Sequence, residues 1–263
     1  MRTTIALLCG GLLLAANAWA GRPCTDFRPT PEVVQKALTL AHRSRAALEE
    51  SGAEVALIAR VGQDLSRFRV RYSHYGYAVR NHAAGRWVVL HQLNLCGSQE
   101  SAIYAEGLGN FFLDDMFAYE TLILVPAPEI QRRLARALAS EVPLALHTLS
   151  YNMLAYAFST RYQNSNQWGL EVFAAATARE AAALANRGQA QAWLKLNGYR
   201  PITVEIDAAT RLGARITRAN IAFDDHPFER RMAGQIDTVT AESVFRFVEQ
   251  REASSRRIHL ALE

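Results

Sequence analysis

The chain has 263 residues, half of them hydrophobic and 21% charged, with a formal net charge of +4. That is ample apolar material for one sizeable core and too balanced a composition for disorder. The basic excess is arginine, since Lys36 and Lys195 are the only lysines, and it is scattered without blocks or interleaved aromatics. A nucleic-acid groove is therefore not expected.

In chain order, Arg2 precedes an apolar run over 5–16, and Ala18 and Ala20 supply small residues at the −3 and −1 positions of a cleavage site after Ala20. Residues 1–20 thus read as a secretory signal peptide, leaving 21–263 as the exported, periplasmic chain. No later stretch has the roughly 18 apolar residues a membrane span requires. Cleavage would remove Cys9 and leave Cys24 and Cys96, an even pair in an oxidising compartment, read most simply as a disulfide. It would close a loop of about 70 residues and stabilise by roughly 4 kcal/mol on the chain-entropy picture. The rival reading makes Cys96 a thiolate nucleophile beside His91.

Thr30-Pro31-Glu32 has the capping hydroxyl, early proline and first-turn acid of a helix start, and Ser51-Gly52 ends that helix near residue 50. Residues 54–60 form a short buried strand. Residues 71–96 alternate as two strands around a polar turn over 81–85, with Tyr72, His74, Gly76 and Ala78 on one face. Gly76, two positions after His74, marks a place where something packs close to the sheet. The helix opening at residues 164–168 is the candidate for it. Downstream, 98–106 reads as a helix, 119–125 as a strand, and 128–138 as a helix with Ile130, Leu134 and Leu138 inward. Residues 143–162 suggest a strand or an extended crossing segment.

A helix is expected from Ser165 to about residue 179 with Trp168, Val172 and Ala175 buried. Another runs over 189–196 and stops at Asn197-Gly198, a strand spans 202–206, and a terminal helix spans 240–252 after a Thr-x-Glu cap. Residues 211–218 stay ambiguous, and the last ten or so residues are expected to fray. With no repeat and no Pro-, Gly- or Ser-rich linker, the expectation is a single α+β domain, an antiparallel sheet with packed helices.

Three positions could carry chemistry. His74 would be a general base for a nucleophile delivered by the later helix, or else a core histidine bonded to Tyr72 or Ser73. Ser165, at a helix N-terminus, could be that nucleophile, with free backbone N–H groups as an oxyanion hole, or simply a capping residue. The orienting third group is His91 or Gln92. An even hairpin loop puts His91 on the face of His74, and an odd one puts Gln92 there. Residues 223–227, FDDHP, lack the spaced partners of a metal site and read as a turn. No phosphate loop or dinucleotide fingerprint is present, so no cofactor is expected.

The segments GRPCT, RVGQDLS, RYSHYGYAVR, HQLNLCG, RYQNSNQW and AFDDHP resemble the bacterial exported family catalogued as domain of unknown function 2145, across essentially the whole chain after residue 20. Ser-His-x-Gly on a strand, followed by a later helix start with an aromatic three positions on, is also similar to circularly permuted NlpC-like papain-fold hydrolases. That resemblance implies a permuted papain-like fold with His74 as the base and Ser165 where the family has cysteine. Serine is the poorer nucleophile of the two. The expected function is an amidase- or peptidase-like site, His74–Ser165–His91, acting on a cell-envelope peptide or acyl substrate. The alternative is a non-catalytic periplasmic binding protein taking such a peptide or a small molecule.

Overall fold

The computed structural model describes residues 27–178, 183–218 and 220–263. The predicted leader and Cys24 lie outside the described residues. One antiparallel sheet organises the domain, in the spatial order β4-β3-β2-β1-β5-β8. Its strands are β1 (Val55–Val61), β2 (His74–His82), β3 (Gly85–Asn94), β4 (Ser101–Gly107), β5 (Ala118–Val125) and β8 (Arg256–Ala261). This is the α+β architecture expected, with helices packed on both faces of the sheet.

Alternation along the strands feeds two cores. Ala56, Ile58, Ala78 and Val89 face α1 (Pro31–Glu50) and the short α2 (Leu108–Phe112). Val55, Leu57, Tyr75, Tyr77, Val88 and Leu90 face α3 (Pro128–Leu138), α5 (Ser165–Thr177), α6 (Arg187–Leu196) and α9 (Ala241–Arg251). Helix α1 begins where its sequence says: Thr30 Oγ1 accepts from the Val33 N–H, with proline in the first turn. A capping box of Thr240 and Ser243 opens α9, so Glu242 of the expected Thr-x-Glu cap is free for another use. It accepts from the Arg71 and Tyr72 N–H groups.

Several local expectations are corrected. Residues 101–107 form the edge strand β4 and not a helix, because Asn94–Ser101 through Val88–Gly107 pair with β3. The chain end does not fray; β8 pairs with β5 from Val125–Arg256 to Glu120–Ala261. Residues 143–162 hold only the short α4 (Val142–Ala145) and then irregular chain with isolated bridges. Strand β6 (Ile202–Glu205) pairs with β7 (Gln235–Thr238) in a separate ribbon, flanked by α7 (Ala208–Thr217) and α8 (Phe228–Met232). The ambiguous 211–218 stretch belongs to α7. Its cap is Asp207, whose carboxylate accepts from the Thr210 N–H.

Candidate functional site

The hairpin register decides which residues share a face. β2 and β3 pair Ala78 with Val89 and His82 with Gly85 across a two-residue turn, an even loop. His91 therefore projects to the side of His74, and Gln92 to the opposite side. Their rings meet: His74 Nε2 lies 2.8 Å from His91 Nδ1. His91 Nε2 in turn lies 3.3 Å from Glu106 Oε2 on β4. Phe111 of α2 covers both rings, at centroid distances of 6.0 and 5.4 Å. Arg60, which pairs with His74 in the β1–β2 register, donates to the Phe111 carbonyl and to Asp114 Oδ2.

Electrostatics orders the protons in this chain of groups. Burial holds both histidines below their ordinary 6.5, most strongly at His74, with the Arg60 cation adding to the effect. Glu106 sits below its ordinary value because His91 donates to it. An ionised Glu106 and a neutral His91 require the proton on His91 Nε2, so Nδ1 accepts from His74 Nε2–H. These tautomers follow from the partners. The result is a linked polar unit inside an apolar layer, with His91 fully buried, His74 8% exposed and His74 Nδ1 without a hydrogen-bond partner among the described residues.

Ser165 stands where α5 opens beside β2. It is the first residue of α5, and the capping residue is Asn164, whose Oδ1 accepts from the Gln167 N–H at 2.7 Å. Ser165 is 7% exposed, and among the described residues its Oγ makes one hydrogen bond, to the Tyr151 hydroxyl at 3.5 Å. The structure thus joins His74 to His91, and among the described residues no hydrogen bond joins either to Ser165. The expected pairing of His74 with Ser165 is not made as a hydrogen bond, although α5 opens beside the strand segment that carries His74. Residues 166 and 169 make the close approach of α5. Asn166 bonds the Ser73 carbonyl and the Tyr75 N–H, beyond the registered β2–β3 ladder, which begins at Tyr77. Gly169 lies under the Tyr75 ring, and Tyr77 donates to its carbonyl at 2.6 Å. What crowds Gly76 is β3 itself. A Cβ there would stand within 3 Å of Val89, His91 and the Leu90 carbonyl, so the expectation that the helix packs over Gly76 is also corrected.

Gln92 enters a second polar network under α5. Its amide donates to Ser101 Oγ and to Gln163 Oε1. Gln163 donates to Glu171 Oε2, and Arg187 and Gln191 donate to the same carboxylate. Arg187 also binds the carbonyls of Ser159, Thr160 and Tyr162, which ties the irregular 146–163 segment to the core. Sequence reading missed Glu106 and Glu171. Glu106 was hidden by the helix expected over 98–106. Glu171 had a visible signal, being three positions after Trp168 on the stripe expected to be buried. His147 meets Ser101 Oγ at 3.2 Å, but Ser101 has no exposed surface and serves this network.

The 223–227 segment is a turn, as its composition suggests, with Asp225 accepting from the Tyr156 N–H and His226 bonded to the Leu154 carbonyl. Among the described residues no cluster of three or more His, Cys, Asp or Glu could hold a metal ion, and no helix is long and apolar enough to cross a membrane. Cys96 lies in the exposed β3–β4 turn, just before Gly97 at φ +70°. An open groove of about 350 Å³ lies between the end of α1, the start of α3 and the α9–β8 connection. Glu54, Gln131, Arg132 and Arg256 line it, with Val125 and Pro126.

A family model described as "Uncharacterized protein conserved in bacteria (DUF2145)" matches residues 47–248. No curated protein and no solved structure matches the chain.

Proposed function

The chain belongs to the bacterial family DUF2145, and from the geometry of its centre we propose that it is a non-catalytic exported binding protein of the cell envelope. One observation carries this reading. His74 Nε2 is taken up by His91, and the one hydrogen bond of Ser165 Oγ among the described residues goes to the Tyr151 hydroxyl and not to either histidine. A hydrolytic serine needs its base within hydrogen-bond reach and an open side for substrate. All three residues are instead at most 8% exposed.

The groove beside Arg132, Arg256 and Glu54 is the place for a ligand. Its volume of about 350 Å³ falls in the small-molecule range, and side chains of both charge signs suit a short peptide carrying an amine and a carboxylate. Residues 1–20 act in this reading as the signal peptide, and Cys24 bridges Cys96 in the oxidising periplasm.

The test is calorimetric titration of the mature protein with short cell-wall peptides, with the same mixtures followed for cleavage by mass spectrometry. Binding that weakens in Arg256→Ser, without cleavage, is the expected outcome. Cleavage that disappears in Ser165→Ala or His74→Gln would restore the hydrolase. A thiol titration of the unfolded, unreduced chain should find no free thiol; two would remove the bridge.

A further inference from the structure

The six-stranded sheet ends in β4 on one side and β8 on the other. At β4 the Ser101 N–H donates to the Leu149 carbonyl and Glu100 bridges Ser150, so that edge is covered where it starts. Along β8, among the described residues, no segment pairs with the outer side. The Leu262 N–H donates to the Tyr119 carbonyl, and bonded pairs alternate along an antiparallel ladder. Residues 256, 258, 260 and 262 therefore bond β5, and the N–H and C=O groups of Arg257, His259 and Ala261 point away from the sheet. These three residues are exposed. The strand also lacks most guards of a free edge: it holds no proline, its register with β5 runs without a bulge, and its arginines stand together at one end.

The occupant this edge fits is a second copy of itself. With a two-fold axis at His259, His259 faces its own equivalent and Arg257 faces Ala261 on either side of it. All three outward residues of β8 then exchange hydrogen bonds, which no other two-fold register achieves. The same register lays Ile258 opposite Leu260 of the second copy. Both side chains are only partly covered by the core beneath α1, so the crossed pairs carry one apolar row through the junction. Charge agrees as well. Arg257 is paired with Glu249, and His259 with Glu120 at 3.0 Å. Antiparallel crossing brings the exposed Glu263 of one copy alongside the Arg256–Arg257 end of the other. An unrelated extended peptide would gain the backbone bonds without these side-chain matches.

We propose that two copies of the chain pair along β8, antiparallel about His259, into a two-fold dimer with one continuous sheet. One strand from each copy is a small interface, so a dissociation constant of roughly 10–100 μM is expected. The pairing uses the outer backbone of β8 and does not depend on a ligand in the groove, although Arg256 belongs to both.

The experiment is sedimentation velocity of the mature protein over a concentration series, in which the mass should double as concentration rises. His259→Pro removes the central outward N–H while leaving the β5 ladder its donors, and should hold the chain monomeric. His259→Ser keeps that N–H and should dimerise as the parent does. Ala261 faces Arg257 of the second copy, so Ala261→Lys should weaken the dimer about fivefold and Ala261→Glu should tighten it about fivefold. Melting temperatures check that each variant is folded. If His259→Pro does not fold, the opposite signs of the two Ala261 variants decide alone. A parent that stays monomeric up to about 1 mM would overturn the proposal. So would a mass that grows beyond a dimer, or a dimer indifferent to His259→Pro and to both Ala261 variants.

Discussion

Replacing Arg187 by methionine is the sharpest test of how the domain is held together. Glu171 has no exposed surface, and the Arg187 guanidinium reaches its carboxylate at 2.8 and 3.3 Å while also binding three carbonyls of the 159–162 stretch. Methionine fills similar space but leaves a buried carboxylate without its cation. Breaking one side of such a pair costs about 3–5 kcal/mol, against a total stability of about 5–15 kcal/mol. At this chain length that is a fall in melting temperature of roughly 6–20 °C.

The loss should depend on pH in a fixed direction. Burial already raises the Glu171 carboxyl above its ordinary value, with Arg187 as the largest opposing influence. Without Arg187 it rises further, so the folded variant holds a proton that the unfolded chain releases. Stability of the variant relative to the parent is then lowest on the alkaline side and recovers as pH falls towards the ordinary carboxylate range. Urea denaturation across that range measures it, and adding Glu171→Gln should restore most of the loss at neutral pH. A destabilisation that is flat with pH, or unaffected by Glu171→Gln, would show that the buried carboxylate is not its cause.

Other outcomes follow from the same geometry. Asn164→Ala removes the α5 cap and its bonds to Thr238 and Val239, and should cost about 2 kcal/mol, whereas Ser165→Ala should cost less than about 1 kcal/mol; paired urea melts compare them. Gly76→Ala has no room against Val89, His91 and the Leu90 carbonyl, and should destabilise by about 1–3 kcal/mol with a shift of the His91 ring resonances. Because His74 and His91 titrate below 6.5 when folded, the unfolded chain takes up more protons in acid, and stability should fall as pH drops below about 6.5. The double variant His74→Phe, His91→Leu should flatten that acid limb; an unchanged limb would place the titration elsewhere.

The sequence by itself determined the local elements whose signals lie within a few residues. Thr30-Pro31 starts α1, the alternation over 74–94 makes the central hairpin, Asn197-Gly198 ends α6, and the FDDHP segment turns. These rest on capping, φ preference and period-two patterning, which act over one or two turns of chain. Only the tertiary structure decided where side chains meet. One residue of hairpin register sent His91 to His74 and Gln92 to Ser101 on opposite faces. Long-range pairing with β3 made 101–107 a strand and so brought Glu106 to His91, and pairing with β5 ordered the chain end. Ser165 could not be placed from its neighbours, because a helix start suits a capping residue and a nucleophile equally. Which sheet face that helix covers is set by contacts about 90 residues apart in sequence, such as Asn166 with Tyr75.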